Sequence, residues 1–342
     1  MKKLRIPKPI SLGAILSYKC TSECRHCMYA CSHEWQDDWM SLELFKEVLY
    51  SFGQKIKANS KREGVGMNHG LHFTGGEPFL NQELLLNLVR ATKDYGISSN
   101  FVETNCYWCA DDDIVEKKFM QLKDAGLGGG LVSVNPFLLE FVSLERIERA
   151  MRIGHRIFGE GLMIYHPYFY TDLRRLGVVG RIKWEDYLRR SDDEALSHLT
   201  DFNVLLPMGR LVWRMNSVFK RFPPEHFFRE DCLEELTRPW HVHVDNYGNY
   251  ISGYCAGLSL GGRGKWDTIF QGGIDLEDHP VIGALASSLG DLYKYASENY
   301  TYRANDNGYA SKCHLCLDIR KCLVDAGCDF KELNPLQFYD HL

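Results

Sequence analysis

Six times before residue 210 the chain repeats one pattern: a short apolar run, a polar or glycine-rich break, then a stretch with helical apolar spacing. The runs are Ile10 to Leu16, Leu71 to Thr74, Asn100 to Thr104, Leu131 to Asn135, Leu162 to Tyr165 and Asn203 to Leu206. After the first, Ser41 can cap a helix to about Ser51, with Leu42, Phe45, Val48, Leu49 and Phe52 on one face. Asn81 precedes a second helix, Ile114 to Leu122 forms a third, and Ser143 precedes a fourth carrying Leu144, Ile147 and Met151. A fifth spans Trp184 to Leu199. Strand–helix alternation predicts an α/β fold with a parallel sheet and helices outside it. Six units fall short of the eight that close a TIM barrel, so a partial (βα)6 TIM-like barrel is expected over residues 1–215.

The pattern changes after residue 215. His241 to Asp245 and Tyr250 to Ser252 read as a hairpin turning at Asn246-Tyr247-Gly248-Asn249. A glycine-rich loop (Gly257 to Gly264), an apolar helix from about Val281 to Tyr300 and a cysteine-rich tail follow. Residues 216–342 are expected to form a small C-terminal cysteine-rich domain with little regular structure, of the kind a metal site stabilises.

Cysteine carries the chemistry. The chain has 12 among its 342 residues, and three fall within eight positions, Cys20-x3-Cys24-x2-Cys27, directly after the first strand. They are too close and too odd in number for a simple disulfide scheme. Three thiolates are also one fewer than a tetrahedral zinc or a cubane iron–sulfur cluster takes. Either a fourth ligand such as Cys31 completes the site, or one position stays open. Cys313, Cys316, Cys322 and Cys328 lie in the tail, Cys232 and Cys255 flank the hairpin, and Cys106 and Cys109 form a pair. No export signal is legible: Pro7 and Pro9 interrupt the basic start, and Tyr18 and Lys19 stand before Cys20. A cytoplasmic protein is expected, with cysteines as ligands rather than disulfides.

The formal net charge of -5 leaves no electrostatic footprint for nucleic acid or anionic membrane. No apolar run approaches membrane-spanning length.

Ligands of open parallel sheets bind at the carboxyl ends of the strands. Polar or glycine-rich motifs gather there: the cysteines after strand one, Gly75-Gly76-Glu77-Pro78 after strand two, Glu103-Thr104-Asn105 after strand three, Ser133 and Asn135 at strand four, and Pro207-Met208-Gly209-Arg210 after strand six. Cys20-x3-Cys24-x2-Cys27 with Gly75-Gly76-Glu77-Pro78 at the next strand resembles the radical S-adenosylmethionine (SAM) superfamily, over roughly residues 10 to 210. The resemblance implies a [4Fe–4S] cluster on Cys20, Cys24 and Cys27, with SAM chelating the fourth iron. Reductive cleavage of SAM then yields a 5′-deoxyadenosyl radical that abstracts hydrogen, and an external electron donor such as flavodoxin or ferredoxin is implied as a partner. Gly75, Gly76 and the Glu77 region would meet the methionyl group; Asn105 and Ser133 would meet the carboxylate or ribose. His26 would stand near the adenine, where the family usually has an aromatic residue.

Cys232, Cys255, Cys313 and Cys316 resemble the ligands of the twitch form of the auxiliary-cluster domain, and adding Cys322 resembles the larger SPASM domain. One auxiliary [4Fe–4S] cluster on Cys232, Cys255, Cys313 and Cys316 is the expectation, with a rival set in which Cys322 replaces Cys232. Zinc suits the same thiolates. The function implied is hydrogen abstraction from a peptide or small metabolite, leading to dehydrogenation, cross-linking or epimerisation. Its alternative is a non-catalytic iron–sulfur or zinc protein acting as an electron carrier or binding module. Cys106 and Cys109 read as a hydrogen-atom donor pair or as small buried hydrophobes. Arg210 reads as a carboxylate binder or a rim ion pair.

Overall fold

The computed structural model describes residues 3–61, 64–327 and 329–342, and the backbone alone at Asn216; the thiol of Cys328 lies outside the described residues. The strands are β1 (Lys3–Leu4), β2 (Ser11–Ile15), β3 (Gly70–Thr74), β4 (Asn100–Thr104), β5 (Gly129–Ser133), β6 (Leu162–Tyr165), β7 (Val242–Val244), β8 (Tyr250–Ser252) and β9 (Ile274–Asp275). Seven of them form one sheet in the order β6-β5-β4-β3-β2-β7-β8, parallel except for the antiparallel β7–β8 hairpin. β1 pairs with β9 in a separate two-stranded ribbon. Strands β2, β3 and β7 are buried along their whole length, which explains why they read as apolar runs without alternation.

Four helices connect the first five parallel strands: α1 (Leu42–Asn59), α2 (Gln82–Tyr95), α3 (Asp112–Ala125) and α4 (Leu144–Phe158). Ser41, Asn81 and Asp111 cap the first three by accepting from Leu44 N, Leu84 N and Ile114 N, whereas Ser143 makes no side-chain cap bond. α1 continues past the expected end near Ser51, because Phe52 and Ile56 extend its buried stripe. The expected helix Val281 to Tyr300 is two, Pro280–Ser287 and Leu289–Tyr300; extended Ser288 breaks it and its hydroxyl caps the second from Asp291 N.

The sixth parallel strand is not where the sequence places it. Asn203 to Leu206 is a turn beyond the helix Asp193–Thr200, closed by Val204 N and Leu205 N donating to Asp201 O. Val204 and Leu205 are buried, so their hydrophobicity serves loop packing. The position beside β2 is taken by β7, with Leu12 opposite Val242, Gly13 opposite His243 and Ala14 opposite Val244. The hairpin expected in a separate C-terminal domain therefore completes the main sheet. No helix is long and apolar enough to cross a membrane, among the described residues.

Candidate functional site

The cysteine loop leaves β2 and is held from two sides. Gly76 N donates to Ser17 O at 2.8 Å and Glu77 N to Lys19 O at 3.1 Å, so the turn after β3 clamps the approach to Cys20. Gly76 admits no side chain there: a Cβ would lie 1.9 Å from Lys19 O. Gly75 adopts φ +122° against Ser17 O, in the region that favours glycine.

Arg210 holds the far side. It is fully buried, and its guanidinium donates to Cys24 O at 3.1 Å, Cys31 O at 3.0 Å, Ala30 O at 2.6 Å and His341 O at 2.8 Å. Its backbone N donates to Cys27 O at 3.0 Å. Gly209 lets the two segments touch, for a Cβ there would meet Met28 O at 2.4 Å. Arg210 thus ties down the loop carbonyls and is neither the carboxylate binder nor the rim ion pair expected from sequence.

Cys20, Cys24 and Cys27 face one cavity of about 410 Å³ together with His26, Gly75, Gly76, Asn105, Ser133 and Asn135. Of the five endings expected on one rim, those after β2, β3, β4 and β5 meet here, whereas none of Pro207 to Arg210 lines the cavity. Asn105 Nδ2 reaches Cys20 Sγ at 3.5 Å and Thr21 Oγ1 at 3.1 Å. His26 stacks on Phe137 with ring centroids 4.8 Å apart, and Asn135 Nδ2 lies 3.3 Å from its Nε2. His26 Nδ1 is buried without a partner. Glu77 does not line the cavity: its carboxylate accepts from Phe79 N, Thr104 Oγ1 and Asn105 N, and buttresses the turn from behind. Gly75, Gly76 and Pro78 of that motif present a surface to a ligand.

Burial pushes the Cys20 thiol up to about 12 and the Cys24 thiol upward too. Cys27 is held below the usual thiol range by hydrogen bonds from Cys31 and by the charge of Arg210, while Cys31 is raised by burial. Cys31 lines the same cavity, so four thiols meet there; three of them are disfavoured as free thiolates, which suits a positively charged iron core that would supply the missing charge. Among the described residues, the one trio of potential ligands with donor atoms all within 4.8 Å of one another is His72, His241 and His243. At least one pair of the sulfurs of Cys20, Cys24 and Cys27 therefore lies more than 4.8 Å apart.

Cys232, Cys255, Cys313 and Cys316 line a second cavity of about 300 Å³. Cys322 is absent from that wall and lies beside Asp318 and Asp325, so the geometry favours the set with Cys232. Cys313 and Cys316 sit in the first turns of the helix Lys312–Asp325, capped by Ser311, so their spacing turns both sulfurs one way. The two cavities share Leu206 and Tyr254 as walls. Cys106 and Cys109 are fully buried and line neither; they pack near Trp108, whose Nε1 donates to Thr104 Oγ1. They are core residues.

Sequence reasoning missed what lies on the sheet side of the first cavity: Tyr29, His243 and Tyr254 line it with Glu103. The His-Val-His repeat of β7 was the available signal, since strand alternation puts both histidines on one face.

Residues 14–133 match a family model described as a 4Fe-4S single cluster domain. No curated protein matches the chain. Solved structures similar to it include BtrN in complex with AdoMet and 2-DOIA, at 13% identity and TM-score 0.40, covering 86% of this chain and 91% of that one. Native anSMEcpe with bound AdoMet and Cp18Cys peptide is similar at 12% identity and TM-score 0.39, covering 93% and 97%. The segment that carries both motifs is thus similar to a 4Fe-4S single cluster domain.

Proposed function

We propose that the protein is a radical SAM enzyme whose cluster is held by Cys20, Cys24 and Cys27, and that it acts on a peptide or small metabolite. The observation that carries this is the convergence of three cysteines, the open face of Gly75 and Gly76, Asn105 and Ser133 on one cavity. When bound, the [4Fe–4S] cluster with SAM supplies reductive cleavage to a 5′-deoxyadenosyl radical. The chain binds and shields: Gly75 and Gly76 offer backbone to the methionyl group, Asn105 and Ser133 offer hydrogen bonds, and His26 offers a ring face and the unpartnered Nδ1. Tyr165, Tyr254 and Leu131 line the same cavity and would exclude water from a reacting C–H bond.

Residues 216–342, in the same reading, form a SPASM/twitch-like unit with one auxiliary cluster on Cys232, Cys255, Cys313 and Cys316. The walls shared by the two cavities support electron transfer between that cluster and a substrate in the first. A flavodoxin- or ferredoxin-like protein would supply the electron. Outcomes remain dehydrogenation, cross-linking or epimerisation; the burial of Cys106 and Cys109 weighs against a hydrogen-donating role for that pair.

Anaerobic reconstitution with iron and sulfide, then reductant and SAM, tests this. About eight irons per chain and formation of 5′-deoxyadenosine are expected, with nucleoside formation abolished by Cys24→Ala. Iron uptake without 5′-deoxyadenosine would leave an electron carrier, and an undiminished yield in Cys24→Ala would remove the assignment of the cluster.

A further inference from the structure

His72, His241 and His243 gather on the sheet side of the first cavity, and of the three only His243 lines it. His72 is on β3, His243 on β7 and His241 just before it, and between those strands runs β2 with Gly13 opposite both His72 and His243. Gly13 makes the space in which the rings meet: a Cβ there would lie 2.6 Å from His72 Nε2 and 2.7 Å from His243 Nε2. All three histidines are buried, at 1%, 0% and 2% exposure.

Their hydrogen bonds orient the remaining lone pairs. The Ser11 hydroxyl donates to Trp240 O and so accepts from His241 Nδ1 at 2.9 Å, which leaves His241 Nε2 as the basic nitrogen. His243 Nδ1 donates to Gly253 O at 2.7 Å, leaving its Nε2 as the acceptor nitrogen; the Tyr29 hydroxyl lies 3.1 Å from both ring nitrogens and would give up its contact with Nε2 to a metal ion. This is the arrangement in which an outer partner fixes the tautomer of a metal-binding imidazole. His72 Nε2 and His241 Nε2 are buried and make no well-aligned hydrogen bond, although the backbone of Met67 lies against the His241 ring. Glu103 Oε1 stands 3.3 Å from His72 Nε2 and brings the compensating carboxylate. Burial also keeps the three rings neutral, that of His243 down to about 4.

We propose that His72, His241 and His243 bind one divalent transition-metal ion of the zinc class, with Glu103 alongside. Three imidazole nitrogens with an oxygen donor form a set such ions take, and three protein ligands leave a position open. His243 and Glu103 belong to the wall of the cavity next to the cysteines. The open position therefore takes an oxygen or nitrogen donor of a molecule in that cavity, a hydroxyl, carboxylate or amine. This goes beyond the cluster reading and stands independently of it.

The test uses the anaerobically reconstituted protein, titrated with Zn²⁺ against a chromophoric chelator and with Co²⁺ as a spectroscopic probe. One ion per chain beyond the cluster metal is expected, with weak imidazole–oxygen ligand-field bands for Co²⁺. His72→Asn and His243→Asn should each weaken Zn²⁺ binding beyond the about 10–100-fold that loss of an outer-shell partner costs, at unchanged iron content. No extra ion in the wild type, or the same affinity and spectrum in both variants, overturns the proposal. Should a variant lose its iron, the wild-type Co²⁺ spectrum decides alone: imidazole–oxygen bands sustain the site, and thiolate charge-transfer bands alone overturn it.

Discussion

Arg210 shows how a residue type can be legible while its role is not. A cation beside a Pro-Met-Gly turn at a strand end suggested an anion partner, yet every acceptor it finds is a backbone carbonyl. Backbone acceptors do not appear in a sequence pattern, so the misreading has a physical cause. Arg210→Gln cannot reach four carbonyls, and each one left unpaired costs about 1–3 kcal/mol. We expect that variant to unfold at clearly lower denaturant and to retain less iron after reconstitution. Glu332 makes a different case. It is buried, its Oε1 accepts from Val281 N, and its Oε2 has no partner. Burial raises its carboxyl above the ordinary glutamate range. The folded state then holds a proton that the unfolded state has lost, so this contribution is present at acid pH and fades as pH rises through the raised value. Glu332→Gln keeps the bond to Val281, and its unfolding free energy should fall less steeply with rising pH than that of the wild type.

At the scale of elements, β2 to β5 were readable because parallel strands buried on both faces are continuous apolar runs, and three helices carry side-chain caps; the edge strand β6 is only partly buried and was marked by its apolar run alone. The convergence of Cys20, Cys24, Cys27, Asn105 and Ser133 followed from the rule that strand ends share a rim. The sixth strand was misplaced because Asn203 to Leu206 and His241 to Asp245 look alike as short apolar runs, and only long-range pairing with β2 separates them. The turn after β3 is the element on which the cysteine loop depends most directly. Gly76→Ala sets a methyl against Lys19 O and must break the bonds to Ser17 and Lys19. Cluster content after reconstitution should drop to a small fraction of wild type while far-UV circular dichroism stays close to it. Full iron content would show that the turn does not set the loop.

For the molecule as a whole, the consequence of β7 lying beside β2 is that the division near residue 215 is not a line along which the chain can be cut. A chain ending after Met215 would bare the edge of β2, whose Leu12 and Ala14 are fully buried in the intact protein. An unpaired apolar edge is a template for association. We expect that truncation to be insoluble or aggregated by size-exclusion chromatography; a soluble, folded monomer would show that residues 3–215 stand alone.

The hydrogen bonds of Arg210 also impose an order in time. Its fork joins carbonyls near residue 30 to that of His341, and Arg214 adds Leu342 O at 3.1 Å. During synthesis the first group emerges some 300 residues before the second. The loop bearing Cys20, Cys24 and Cys27 cannot reach its final tension on the ribosome until that late segment has followed it out. On the proposed assignment, iron and sulfide would enter this pocket only after that segment has emerged, and the neighbouring thiols would have to stay reduced and unmetallated until then.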